Sequence, residues 1–593
     1  MTTGLTQRHR DTEELAAAVH GVPLVRFDSF DPLRGARSFR FSGFRGVVRA
    51  DRVEEVRGVL AEVEAATEAG LHAAGFVAYE AAPAFDDALA TRAPTAELPL
   101  AWFALFEGRE EGDPDAQAEG EFELGEWEIA TAEAEYRARV AAIRELIAAG
   151  DTYQANYTVR LRAPFSGDPA ALYARLCRAQ RSAFCAYLEV DGHVIVSASP
   201  ELFFRVAGGE LELRPMKGTR PRGRFPAEDE ALAAELRASP KERAENLMIV
   251  DLLRNDAGRV AEFGSVRVER LFEAERYETV HQLTSTIRAR VGPGLPGLFG
   301  ALFPCGSVTG APKVRTMEIL AATEDEPRGV YCGAIGFASP GEAVFSVAIR
   351  TVVVDRAAGR AELGVGSGIT WDSDAAAEYR ECLDKAAFTR HAPNDFRLLE
   401  TLLYEPGPGF FLLDGHLQRM AASAAFFGYH FERAEAVRAL HRDLGDGPRR
   451  VRLLLDRTGE LTVESTPLDP SPATARIGIA AEPVDSRDPL LFHKTTRRGA
   501  YDRRRAANPD CDDVLLVNER GELTESTLAN LVLRLDGALW TPPLESGLLP
   551  GVLRAHLLAR GDIRERVLRP ADLARADAIY LINSVRRWRR AEW

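Results

Sequence analysis

Residues 239–256 read SPKERAENLMIVDLLRND. Ser239, Pro240 and Glu242 make a helix start: an N-cap, a proline at the first helical position and a capping-box glutamate at the third. Glu242 and Glu245 stand three apart and so share a face. Residues 372–386, DSDAAAEYRECLDKA, repeat that spacing with Glu378 and Glu381. On spacing alone Glu242 is a cap, Glu245 is solvated and Glu381 is an i, i+4 partner of Lys385. If the two helices face each other, however, four carboxylates converge, and that cluster needs a hard cation such as Mg²⁺.

Outward from these helices, at 228–256 and 374–389, lie strand-like segments punctuated by glycine. CAYLEV, HVIVSASP, ELFFRV and LELRPM precede the first helix, and FSVAIRTVVV and AELGVG read as paired strands before the second. AEYRARVAAIRELIAAGD reads as an amphipathic helix ending near Gly150, preceded by a solvated excursion at 107–128. Two glycine-rich loops, GSVTGAPK at 306–313 and GVGSGIT at 364–370, lack the order of a nucleotide loop. Their glycines let backbone amides approach an anion closely, or simply make tight turns. At 386–396 the pattern stops in AAFTRHAPNDF, and a second strand-and-helix series begins. Periodicity gives mixed α and β in both parts, without regular βαβ alternation.

The bulk numbers exclude several classes. With 593 residues the chain exceeds one ordinary core. A net charge of −15 argues against a nucleic-acid partner. The six cysteines form no CxxC pair and fit a reducing cytoplasm. The N-terminus MTTGLTQRHRDTEEL has no apolar core of a signal peptide, and no apolar run approaches a membrane span. The expectation is a soluble cytoplasmic protein.

GDTYQANYT, SPELFFR, RPMKGTRPRG, KERAENLMIVDLLRND, HQLTS, FPCGSVTGAPK, YCGAIG, FSVAIRT, GVGSGITWDSD and EYRECLDKA, in that order, resemble the chorismate-utilising enzyme family. The resemblance runs from about residue 150 to 387. It implies an α+β chain: a large fold of intertwined β-sheets with surrounding helices over 1–390, with 1–149 as its N-terminal part and 150–390 as the catalytic core. In this family aminodeoxychorismate synthases carry a lysine where Lys217 stands, and anthranilate synthases typically an alanine. The lysine is the covalent nucleophile that expels the C4 hydroxyl before ammonia replaces it. An amine nucleophile must be neutral, so burial or nearby cations should lower its pKa, with Arg214, Arg220 and Arg222 as candidates. Gln154 replaces the lysine of water-using members, which makes ammonia the expected nucleophile. The resemblance further implies Glu245 and Glu381 as Mg²⁺ ligands, with Glu242 and Glu378 acting directly or through water. Tyr331 and Arg350 would bind a carboxylate of chorismate, and backbone groups around Gly366 and Gly368 would complete the anion site. His281 would stand near the departing hydroxyl, and Thr309 is a further substrate contact. Asp28 and Ser29 lie near the position where relatives hold tryptophan, although a turn-forming Asp-Ser is the simpler reading. None of the cysteines sits in a G-x-C-x-G turn, so a separate glutamine amidotransferase subunit is expected to supply ammonia.

Residues 391–593 carry FRLLETLLYE, HLQRM, FHKTTRRGAYDRRRA, LTESTLANL, LLPGVLRAHLL and INSV, which resemble the class IV pyridoxal-phosphate enzymes. The resemblance implies a smaller fold-type IV domain, and a homodimer through this part is a further expectation. Lys494, read as following an apolar strand end, would hold pyridoxal 5′-phosphate and then shuttle protons. Glu525 would face the pyridine nitrogen, supported by Asn530. Arg419, the helix-start amides near Val552 and Leu553, and Ser584 would bind the phosphate. Arg498 would contact a substrate carboxylate or the phosphate. The two resemblances together imply amination of chorismate to 4-amino-4-deoxychorismate, then loss of pyruvate to give 4-aminobenzoate, the folate precursor. Two alternatives stay open: an anthranilate synthase fused to a class IV aminotransferase, or one half serving as a non-catalytic regulatory module.

Overall fold

Residues 154–161 explain the floor of the first part. Their odd positions, Ala155, Tyr157, Val159 and Leu161, are apolar and buried in one core cluster, while Gln154, Asn156, Thr158 and Arg160 are polar and also buried. A strand with period two sends these sets to opposite faces. The even-numbered face therefore needs its own polar cover, which is where a site can form.

The computed structural model describes residues 22–31, 37–114, 120–390, 393, 395–441, 444–470 and 472–593. The N-terminal stretch read above for a signal peptide lies outside them, as do parts of 107–128 and of the connection at 386–396. Among the described residues no helix is long and apolar enough to cross a membrane. Described residues up to Pro221 and within Ala233–Asn394 form one unit; those of Arg222–Leu232 and Asp395–Trp593 form the other.

In the first unit, nineteen strands join one hydrogen-bonded network. Every recorded pairing within it is antiparallel, in keeping with the absence of a βαβ rhythm. The elements that matter are β1 (Gln154–Gly167), β2 (Met216–Pro221), α1 (Pro240–Gly258), β3 (Val280–Arg290), β4 (Arg360–Ile369) and α2 (Ala375–Ala386). α1 starts where the sequence places it: Ser239 caps the Glu242 amide and Pro240 stands in the first turn. The helical stretch read at 228–256 is in fact two helices, Pro226–Ala238 and α1, broken at that cap. The GVGSGI segment is strand β4 rather than a loop, paired with β1 so that Gly364, Gly366 and Gly368 face Arg160, Thr158 and Asn156. The excursion at 107–128 contains strand: one strand runs on to Gly112 and another, Phe122–Leu124, pairs with β1.

The second unit holds a four-stranded and an eight-stranded sheet. Its working elements are β5 (Leu398–Glu405), α3 (Leu413–Phe427), β6 (Leu523–Ser526), β7 (Asn530–Leu535) and α4 (Val552–Arg560). Lys494 does not follow a strand end; it follows the short 3₁₀ turn Pro489–Leu491, and its carbonyl accepts from the Leu399 amide of β5.

Candidate active sites

In the first unit the site is floored by glycine. A Cβ on Gly368 would lie 2.3 Å from Gln154 Nε2 and 3.6 Å from Lys217 Nζ. The absence of a side chain there is what lets β1, β2 and β4 bring these two groups together. On the same strand Gly364 lies against the Tyr331 ring, which Arg160 covers at 5.3 Å. Lys385 of α2 reaches across to the Gly366 carbonyl at 2.6 Å and to Glu381 at 2.7 Å. The i, i+4 pair read from the sequence thus exists, and it also ties α2 to the strand.

Burial holds the half-buried Lys217 amine below its usual pKa; Lys385 adds to this, while Glu201, Glu245 and Glu381 oppose it. The arginines expected to assist are engaged elsewhere: Arg214 with Glu275, Arg220 with Glu242 and Arg222 with Asp229. The assisting cation is Lys385 instead.

Two residues escaped the sequence reading. Glu201 of SPELFFR is 4% exposed, and burial pushes its carboxyl up to about 7 against a Ser307 hydrogen bond and the Lys217 charge. Its Oε1 has no hydrogen-bond partner, as is true of the buried Gln154 Oε1. Orphaned buried acceptors are costly unless something fills the space beside them. Asn246, fully buried on α1, donates to the Lys217 carbonyl at 3.3 Å and to the Leu283 carbonyl at 3.1 Å, which pins β2 to β3. A buried Asn directly after Glu245 breaks the solvated pattern expected there, and that was the available signal.

The remaining expected residues are less concentrated. His281 is buried on β3 opposite Arg220. Thr309 is buried, with its hydroxyl spent on the Cys305 and Gly306 carbonyls at 3.3 Å. Arg350 donates to Gln180 at 2.7 Å and has a left-handed backbone, φ 50°. Asp28 is taken up by Arg40 and Tyr173. Glu242 accepts from Arg220 at 3.2 Å, and burial with Glu242 and Glu378 nearby raises the Glu245 pKa. Among the described residues no three His, Cys, Asp or Glu side chains stand close enough to form a ready metal cage. The four expected carboxylates are neighbours in charge rather than a preformed ligand set.

In the second unit a cavity of about 720 Å³ gathers every expected cofactor residue: Arg419, Lys494, Glu525, Asn530, Val552, Leu553 and Ser584. Arg498 lines it too and stacks on Tyr501, 4.5 Å from the ring centre. Burial first, then the Arg419 and Arg498 charges, push the half-buried Lys494 amine down to about 8. Burial likewise pushes Glu525 up to about 7, although Tyr501 donates to it at 3.0 Å and Asn530 at 3.2 Å. The sequence reading missed Tyr501, and also Glu400. Burial works against the charge of Glu400, yet Arg419 and His416 hold its pKa down to about 2. Through Glu400, and through the Pro550 carbonyl at 3.1 Å, Arg419 is fixed beside the start of α4.

The residues fit pyridoxal phosphate. Cationic side chains and helix-start amides suit a phosphate, and the buried His416 Nε2 that lines the cavity lacks a partner. At Gly551 a Cβ would lie 1.9 Å from Asn530 Oδ1, so the chain there can be only glycine if the turn into α4 is to close on the cavity.

The two units, one with a lysine in a glycine-floored slot and one with a lysine in an arginine-lined cavity, each have relatives among known proteins. Residues 33–391 match the family model described as chorismate binding enzyme, and the chain belongs to that family. Residues 397–592 match amino-transferase class IV, a domain that implies pyridoxal phosphate. Aminodeoxychorismate synthase of Streptomyces pristinaespiralis is 48% identical over 258 residues, 43% of this chain and 36% of that protein. Anthranilate synthase component 1 of Streptomyces coelicolor is 48% identical over 265 residues, 44% of this chain and 51% of that protein. The chain therefore spans about a third to a half of the length of these relatives. The crystal structure of anthranilate synthase component I from Streptococcus pneumoniae superposes with a TM-score of 0.53 at 27% identity, covering 60% of this chain and 92% of that one.

Proposed function

We propose that the chain joins two consecutive reactions: chorismate and ammonia to 4-amino-4-deoxychorismate and water, then that product to 4-aminobenzoate and pyruvate. The observation that carries the reading is Lys217 Nζ beside Gln154 over Gly368. A lysine whose pKa burial lowers is the readier nucleophile, whereas Gln154, without a charge, cannot serve as a base for water. Lys217 displaces the C4 hydroxyl, and Glu201, pushed up to about 7 by burial and acted on by the Lys217 charge, protonates it as it leaves. Ammonia then replaces the lysine. Carboxylate crowding around Glu245 would be relieved by Mg²⁺, a hard ion suited to Glu242, Glu245, Glu378 and Glu381, with Arg220 and Lys385 releasing two of them. Ammonia comes from a separate glutamine amidotransferase, so glutamine alone supports no turnover.

In the second reaction Lys494 takes the C4 proton of 4-amino-4-deoxychorismate, which its lowered pKa allows near neutrality. Arg419, the amides at Val552 and Leu553, and Ser584 would hold the phosphate of the cofactor, and Glu525 would pair with its pyridine nitrogen. Bound pyridoxal phosphate supplies the electron sink. The test is the full chain with chorismate, ammonium, Mg²⁺ and pyridoxal phosphate, every product being identified. 4-Aminobenzoate with an equal amount of pyruvate is expected. Anthranilate, the product suggested by the equally similar Streptomyces coelicolor relative, would overturn the C4 amination. Accumulation of 4-amino-4-deoxychorismate would overturn the second step.

A further inference from the structure

Just past β2, which carries Lys217, the chain enters a segment, Arg222–Leu232, that belongs to the second unit, although that unit otherwise begins at Asp395. The segment is built in rather than draped over a surface. The Arg222 and Asp229 side chains are each 8% exposed and form a two-pronged pair at 2.7 and 2.8 Å. The Gly223 amide also donates to Asp229 at 2.8 Å. From this knot Arg222 donates to the Phe426 carbonyl at 2.9 Å and covers the Phe426 ring at 4.4 Å. Phe225 meets Phe492 with ring centres 5.2 Å apart, in the apolar cluster that also contains Tyr501. Arg224, paired with Glu228, lies over Phe492 at 5.4 Å and donates to the Ser486 carbonyl at 3.3 Å.

These contacts converge on the two residues before Lys494. Phe492 and His493 are 2% and 3% exposed. His493 is clasped by Phe426 and Phe427, ring centres at 4.4 and 4.7 Å, and meets Ser423 at 2.9 Å. No continuous strand fixes this stretch: Lys494 follows a 3₁₀ turn and is tied on one side by the Leu398–Thr495 bridge, where its carbonyl accepts from the Leu399 amide at 2.9 Å, so its other side depends on what packs behind Phe492 and His493. The same cluster backs Tyr501, which holds Glu525.

We propose that Arg222–Leu232 is a positioning element of the second reaction: chain from within the first half forms the wall behind Phe492 and His493 and so sets the place of Lys494. The proposal rests on the functional reading for the second unit, and it makes the fusion structural as well as catalytic. A second unit cut at residue 395 would lack part of its own core.

The test uses the full chain with Phe225→Ala and Asp229→Asn, and Phe225→Leu as the conservative partner. The pH dependence of Lys494 labelling by a small amine-reactive reagent, followed by mass spectrometry in cofactor-free protein, reads the lysine directly. Loosening the wall admits water, so the labelling midpoint should move up by about one pH unit. Conversion of supplied 4-amino-4-deoxychorismate should fall about tenfold in kcat with KM little changed, and Phe225→Leu should restore most of both. Chorismate consumption with ammonium should stay within twofold of wild type. An unmoved labelling midpoint in both variants overturns the proposal, as does an equal loss of both activities. If the wild type makes no 4-aminobenzoate, the functional reading fails, while the labelling midpoint still decides whether the segment positions Lys494.

Discussion

Two lysines, both held below their usual pKa by burial, sit in opposite electrostatic company. Around Lys217 stand Glu201, Glu245 and Glu381, with Lys385 adding to the lowering by burial. Around Lys494 stand Arg419 and Arg498, opposed by Glu400 and Glu525. Carboxylates oppose burial at both, but at Lys494 the two arginine charges come ahead of them, whereas at Lys217 the Glu201 charge comes ahead of Lys385. The difference suits the two tasks. An amine amid carboxylates has proton acceptors beside it when it attacks and is displaced. An amine amid arginines sits where a phosphate and anionic substrates must be held, and it can give up its proton near neutral pH.

The sharpest break of this comparison is to remove each lysine in turn. Lys217→Ala should lower 4-amino-4-deoxychorismate formation by about a thousandfold or more, while supplied 4-amino-4-deoxychorismate is still converted. Lys494→Ala should do the reverse: the intermediate accumulates and 4-aminobenzoate falls by at least a comparable factor. Product analysis by chromatography reads both, and a variant that impaired the other half would erase the division of labour.

A smaller effect is expected at Glu201, whose role depends on the carboxylate company of Lys217. Glu201→Gln should slow chorismate amination by about a hundredfold and flatten the limb of its pH profile near 7. An unchanged profile would remove Glu201 from proton transfer.

The smallest effect concerns stability alone. Lys494 titrates near 8 in the folded chain against 10.5 when unperturbed. The unfolded chain therefore binds more protons between those values, and stability rises with pH across that window. The cost of burying the charge is fully present below about 8 and is gone above 10.5. In cofactor-free protein Lys494→Met should stabilise the second unit by about 2 kcal/mol at neutral pH, after allowance for its partial exposure, and by almost nothing above the window. Urea unfolding at two pH values measures it. Lys217→Met should give no such gain, because it leaves Glu201 without its neighbouring cation.

Much of the site was legible because motif and backbone coincide. Ser239-Pro240 starts α1 as its residue types require, and Lys494, Glu525, Asn530 and Arg419 meet in one cavity. What escaped has a common cause: partnership across sequence distance. Glu201, Asn246, Glu400 and Tyr501 look like ordinary strand and helix residues until a lysine, a carbonyl, an arginine or a carboxylate from another element is placed against them. The assignment of Arg222 as an aid to Lys217 failed for the same reason, since nearness in sequence did not survive the turn after β2.

The sequence by itself determined which residue types the two sites contain, because motif order and chemistry are local properties of the chain. It also set the alternation of β1, whose period of two needs no partner to be read. Only the tertiary structure decided that the glycines of β4 form a strand floor instead of a loop, since pairing with β1 fixes that register. The tertiary structure likewise decided that residues 222–232 belong to the second unit. Burial creates both results, by joining surfaces that no local pattern records.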